Sequence, residues 1–328
     1  MKNHAKNIKT PVSRLCYQRQ PKQMRYNNHH FGDFSSYFVS WKEMVIIMKK
    51  KIGFVDYYIS EWHANNYPVW IKQANEKLGT DYEVAYAWAE QDLSPVYNET
   101  TDEWCAKMGV SRCNTIAELC EKSDVIIVLA PSDPEKHLGY AREVLPFRKC
   151  TYIDKTFAPD FATAKEIFEI AEKYGTPFFS TSALRFADEL DTLKGATDLI
   201  ITGGGGNFAE YIIHTVEMAV KLLDNPVKKV KVENVGEQRV CRAETENGSN
   251  AVIIYSPCEG FSINAKTENG EYTHIDINSE FFVNLIANII KFFETGILPF
   301  DTKQTLEVMR LRTALLNAEK TPDKWVNA

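Results

Sequence analysis

The chain has 328 residues, enough for two domains, with 44% hydrophobic and 25% charged residues and a formal net charge of −6. No apolar run reaches the roughly 18–20 residues of a membrane-spanning helix, and seven cysteines without a C-x-x-C pair argue against a disulfide frame or a zinc site and for free thiols in a reducing, cytoplasmic compartment. Residues 1–47 carry +6, from eight Lys/Arg against Asp33 and Glu43, which leaves −12 on the rest and argues against nucleic-acid binding by the main body.

In chain order, residues 1–47 are polar and basic without apolar periodicity, and Lys6, Lys9, Arg14 and Arg19 break any signal-peptide core. A disordered arm, a nucleic-acid-binding tail and an upstream stretch included by a misplaced start codon all fit. The third is preferred, because Met48 is followed at once by three lysines and a strand-like run. From 48 to 184, short apolar runs at 51–55, 83–88, 124–130, 151–154 and 177–182 alternate with amphipathic stretches near 68–78, 114–122, 135–145 and 160–174. Runs of this length, rich in Val, Ile and Phe, read as strands buried on both faces, and the alternation predicts a doubly wound parallel α/β sheet of the Rossmann type. From 185 to 328 the rhythm changes. A Gly203–Gly206 run leads into a helix near 207–223. Period-2 strands then follow around 227–233, 238–244, 250–256, 260–266 and 271–276, with helices near 279–295 and 301–319. This predicts a second, α+β domain on a mostly antiparallel sheet.

The order of motifs resembles the Gfo/Idh/MocA oxidoreductases, the relatives of glucose-fructose oxidoreductase and inositol dehydrogenase, over roughly 51–328. The family's strand ending near A-T-P and its downstream His correspond to a run ending at Pro131 and to His137. Its E-K-P corresponds to Asp154-Lys155-Thr156, its R-F pair to Arg185-Phe186, its helical acid, His and acid to Glu210, His214 and Glu217, and its late F-x-x-T/S-G-x-x-P to Phe293–Pro299. The resemblance implies NAD or NADP as cofactor and hydride transfer to or from a sugar, polyol or related hydroxy compound. It also implies a homo-oligomer, dimer or tetramer, paired through the open face of the second sheet, where Val252–Tyr255 supplies apolar surface.

It further implies roles. Lys155 would hydrogen-bond the reacting hydroxyl and His214 would be the catalytic histidine. Glu210 would bind substrate and Glu217 would orient the imidazole, since i, i+4 and i+7 share a helix face. That face, continued by Lys221, also reads as a solvated polar stripe. Arg185 reads either as a substrate contact or as an interdomain salt bridge. Asp154 stands where the family's Glu contacts the nicotinamide ribose, and with Thr156 in place of proline any special proline geometry is expected to be lost. Pro131 and His137 fall on the cofactor side, His137 also reading as a capping or core histidine. No metal site is expected, because H-E-x-x-H is absent. Cys105, Cys113 and Cys120 read as core, and the Gly203–Gly206 run as a place where backbone comes close to ligand.

The cofactor loop departs from the pattern. With G-x-G-x-x-G-x-x-H laid on His63, the glycine positions are Val55, Tyr57 and Ser60. Pro68 then predicts a helix starting near 66–68 after a long loop. Either a different loop still binds the dinucleotide, with Tyr57, Tyr58 or Trp62 stacking, Ser60 on a phosphate and Glu90 on the ribose, or the aromatics pack and the chain is a metabolite sensor or binding subunit.

Overall fold

The computed structural model describes residues 49–223, 225–248 and 250–328; the expectation for residues 1–47 lies outside them. In chain order the first part runs β1 (Lys50–Asp56), α1 (Trp62–Leu78), β2 (Tyr82–Ala89), α2 (Thr101–Met108), β3 (Ser111–Arg112), α3 (Ile116–Lys122), β4 (Val125–Val128), α4 (His137–Val144), β5 (Thr151–Ile153), α5 (Phe161–Tyr174) and β6 (Phe178–Phe179). The strands form a parallel six-stranded sheet of order β3-β2-β1-β4-β5-β6. All four side chains of β4 are buried, as a strand with helices on both faces requires. Local signals set the helix ends. Thr100 and Glu103 close a capping box on α2, and Asp160 caps α5 by accepting from the Thr163 amide at 2.8 Å.

The second part runs α6 (Asp188–Asp191), β7 (Thr197–Gly203), α7 (Phe208–Leu222), β8 (Val227–Val235), β9 (Gln238–Thr245), β10 (Asn250–Tyr255), β11 (Ser262–Lys266), β12 (Tyr272–Asp276), α8 (Phe281–Thr295), α9 (Lys303–Glu319) and β13 (Val326–Asn327). Its seven strands order as β12-β11-β7-β10-β9-β8-β13, antiparallel except for the β7–β10 pair. Helices α7 and α9 cover one face. On the opposite face Ile200 of β7 is exposed, with Val240, Val252 and Ile254 half-buried around it. Helix α8 returns to the first sheet and packs on α1, where Phe282 stacks on Trp70 with centroids 4.5 Å apart.

Two expectations about the backbone change. The Gly203–Gly206 run makes its close approach to the chain itself: a Cβ on Gly204 would lie 1.6 Å from the Ser256 carbonyl oxygen, and one on Gly203 would meet Phe261 at 2.4 Å. Helix α1 starts at Trp62, not near 66–68, and carries Pro68 inside it. Burial of His63, Ala64, Tyr67 and Ile71 along one face holds the first turns against the proline's missing N–H. The three core cysteines, Cys105, Cys113 and Cys120, are buried free thiols that burial pushes up.

Candidate active site

In the order β3-β2-β1-β4-β5-β6 the chain reverses direction across the sheet between β1 and β4, and open α/β sheets bind ligands at the carboxyl ends of the strands flanking such a switch. A cavity of about 250 Å³ opens there. Asp56 comes from the end of β1 and Tyr58, Glu61, Trp62 and His63 from the following loop and α1. Pro131, Ser132 and Asp133 follow β4, Lys155 follows β5, and Glu210 and Tyr211 come from α7. Pro131, Lys155 and Glu210, expected from sequence, therefore meet in one wall. Lys155 Nζ lies 3.5 Å from the Pro131 carbonyl and 4.0 Å from Glu210 Oε1. Glu210 is held in place by Ser132 Oγ, which donates to Oε1 at 2.7 Å, and by Asn207 Nδ2, which donates to Oε2 at 3.1 Å.

Asp154 sits behind this wall and His63 in it. Asp154 Oδ1 accepts from the Lys155 amide at 2.8 Å and from the Tyr152 hydroxyl at 3.1 Å, while Oδ2 pairs with His63 Nδ1. Burial alone would raise the Asp154 carboxyl, but His63 and Lys155 hold it below its ordinary value. An ionised carboxylate only accepts, so His63 Nδ1 carries a proton toward it. Nε2 has no hydrogen-bond partner among the described residues. Sequence reasoning used His63 only as an anchor for spacing. The signal available was that the family pattern ends on a histidine at this position.

Other candidates go elsewhere. His214 is buried, accepts from or donates to Ser182 Oγ at 2.7 Å through Nδ1, and is not among the cavity-lining residues. Burial, and then Lys155 and His63, bring its imidazole down to about 3. The unfolded chain, with an ordinary histidine near 6.5, therefore binds the extra proton first. We expect wild type to lose stability relative to His214→Asn as pH falls from about 6.5 toward 3, at up to about 1.4 kcal/mol per pH unit. Urea midpoints at pH 7, 6 and 5 check this; parallel curves would refute it.

Glu217 does not orient His214. It pairs with Arg185 Nε and accepts from Thr181 Oγ1 at 2.7 Å, while Arg185 lies over the Phe300 ring at 4.2 Å and donates to Gln304. Both side chains are almost fully buried, so Arg185 is a salt-bridge residue, though with a partner inside the same 185–328 part and not across the domains, and neither side chain lines the cavity. His137 is fully buried, with Nδ1 and Nε2 against the carbonyls of Phe157 and Leu129: a core histidine. The Lys155–Thr156 peptide is cis although Thr156 replaces the family's proline.

The fold implies a dinucleotide, whose diphosphate would sit on bare amides where α1 begins. The residues there do not fit it in that pose. The Glu61 carboxylate takes the amide of His63 at 2.7 Å and that of Ala64. Ser60 Oγ donates to Glu99 at 2.6 Å and is not free for a phosphate. On the ribose side, Glu90 is engaged by Lys136 at 2.6 Å and by the Tyr140 hydroxyl at 2.8 Å. Tyr57 lies under Lys136, 4.4 Å from ring centroid to Nζ, and accepts from Gln91. Among the described residues no group of three or more His, Cys, Asp or Glu is placed to hold a metal ion, and no helix is long and apolar enough to cross a membrane.

The chain joins a parallel sheet, with a cleft at its switch point, to a mostly antiparallel sheet. Solved structures share this fold. Scyllo-inositol dehydrogenase from Lactobacillus casei matches with a TM-score of 0.67 at 12% identity over 85% of this chain and 98% of that one. GenD2 from gentamicin A biosynthesis, solved in complex with NAD, gives 0.67 at 11% over 85% and 96%. An NAD binding oxidoreductase from Klebsiella pneumoniae gives 0.65 at 13% over 85% and 99%. No family model matches the chain, and no curated protein matches it.

Proposed function

We propose that the chain is a member of the Gfo/Idh/MocA group and an oxidoreductase that acts at an alcohol carbon of a sugar, polyol or related hydroxy compound. The observation that carries this is the pairing of an amine and an imidazole in one cleft: Lys155, and His63 backed by Asp154, in a chain with a dehydrogenase fold. Lys155 has donors to spare for a substrate oxygen, since the one hydrogen bond of its amine among the described residues is long. His63 Nε2 accepts the hydroxyl proton and Asp154 stabilises the imidazolium that results, work worth on the order of 10²–10⁴-fold in rate. Glu210 accepts from further substrate hydroxyls.

The solved neighbours include NAD-binding proteins, one complexed with NAD, which supports NAD or NADP as the cofactor. Because Glu61 holds the two amides at the start of α1, a dinucleotide would have to displace that carboxylate. A homodimer or tetramer through the open sheet face around Ile200 and Val252 is part of the proposal. Isothermal titration with NAD(H) and NADP(H) tests the central claim. Saturable heat with one of them is expected; none with either, from folded protein, would overturn the nicotinamide assignment.

A further inference from the structure

The cavity wall is short of positive charge. Asp56, Glu61, Asp133 and Glu210 line it, against one lysine and one imidazole, and Lys155 already faces Glu210. Asp56, Glu61 and Asp133 make no ion pair among the described residues. Asp56 is the sharpest case. It is 1% exposed; its Oδ1 accepts from the amides of Tyr57 and Ala130 at 2.7 and 3.0 Å, and its Oδ2 is buried with no partner among the described residues. Burial first, and then neighbouring acids, push Asp56, Glu61 and Asp133 above the usual carboxylate range, as expected where charge of one sign is crowded out of water. The missing charge is not that of a metal ion, since no suitable ligand group exists among the described residues.

We propose that this cavity takes an amine-bearing polyhydroxy compound, such as an amino sugar, and turns away phosphorylated ones. The inference rests on the proposed oxidoreductase reading and names its substrate class. An ammonium brings positive charge, of which the wall is short, and three donors for its unpartnered acceptors, whereas a phosphate brings negative charge to a wall rich in carboxyl groups. The volume of about 250 Å³ has room for a single ring.

The test is titration calorimetry on the whole chain at pH 7 and fixed ionic strength, using glucosamine, galactosamine and mannosamine, each against its parent hexose and that hexose's 6-phosphate. At least one amine is expected to bind about tenfold or more tighter than its parent, a difference of about 1.4 kcal/mol, with its phosphate not binding. Asp133→Asn and Asp56→Asn should each shrink that preference, with unfolding midpoints measured alongside to show that both variants fold. Equal binding of amine and parent, phosphates binding as well as amines, or no binding by any amine would overturn the inference. NAD(H) binding without amine preference would leave the oxidoreductase reading standing and remove this one. Amine preference without dinucleotide binding would do the reverse.

Discussion

Glu217→Ala is expected to cost the fold about 3–5 kcal/mol, because it leaves the Arg185 guanidinium charged, buried and unpaired. Arg185 and Glu217 are 4% and 2% exposed, so water cannot take over the solvation that the pair provides. Arg185 Nη2 already lacks a partner among the described residues, and Glu217 also anchors the 181–182 segment through Thr181 Oγ1 and the Ser182 amide. The pair thus fastens the chain leaving β6 onto α7, the helix that delivers Glu210 to the cavity. The double variant Arg185→Met/Glu217→Leu should recover at least half of the loss, since apolar side chains of similar volume remove both charges together. Urea midpoints for the two single variants and the double variant check this. A single-variant loss below about 1 kcal/mol, of the size measured for solvated pairs, would mean that water reaches the pair and that Arg185 is available to substrate after all.

The parallel sheet was legible because its strands are buried on both faces, so that runs such as Val125–Val128 stand out as unbroken apolar stretches. Strand β7 was not, although Leu199 to Ile201 is apolar, because it lies between Gly195 and the Gly203–Gly206 run, where turn signals dominate a short window. Helix α2 was missed in spite of its Thr100/Glu103 capping box: with Trp104 and Cys105 as its buried apolar side chains, its eight residues are too few to show a period.

The candidate site divides in the same way. Lys155 was legible from its strand-end position and from the motif resemblance, and Glu210 and Pro131 from the resemblance. The one-face spacing of Glu210, His214 and Glu217 was real but insufficient. A helix at the junction of two layers has more than one buried neighbour, and Glu217, one turn beyond His214, meets Arg185 and not the cavity. Asp56, Glu61 and His63 were passed over because a search for glycines marks these positions only as gaps in a motif, and what they do depends on side-chain partners that sequence does not display.

Glu61→Gly is expected to tighten dinucleotide binding by on the order of 10–100-fold, or about 1.4–2.8 kcal/mol. The carboxylate of Glu61 now does for α1 what a bound diphosphate does in a glycine-loop protein: it satisfies the amides of His63 and Ala64 and meets the positive end of the helix dipole. Two anions cannot share that place. Two like charges about 4 Å apart at an effective dielectric of 20 repel by roughly 4 kcal/mol. Part of that gain is offset, because losing the cap loosens the first turn, although glycine is among the tolerated caps and costs only a few tenths of a kcal/mol relative to the best ones. Glu61→Gln separates the two effects, since its amide oxygen still accepts from the backbone but carries no charge; its affinity should fall between those of wild type and the glycine variant. Titrations of all three proteins with NADH and NADPH give the order directly. If the three affinities coincide, the phosphates lie away from the start of α1, and the side chains of Tyr57 and Ser60, not the charge on Glu61, are what keep a diphosphate from this turn.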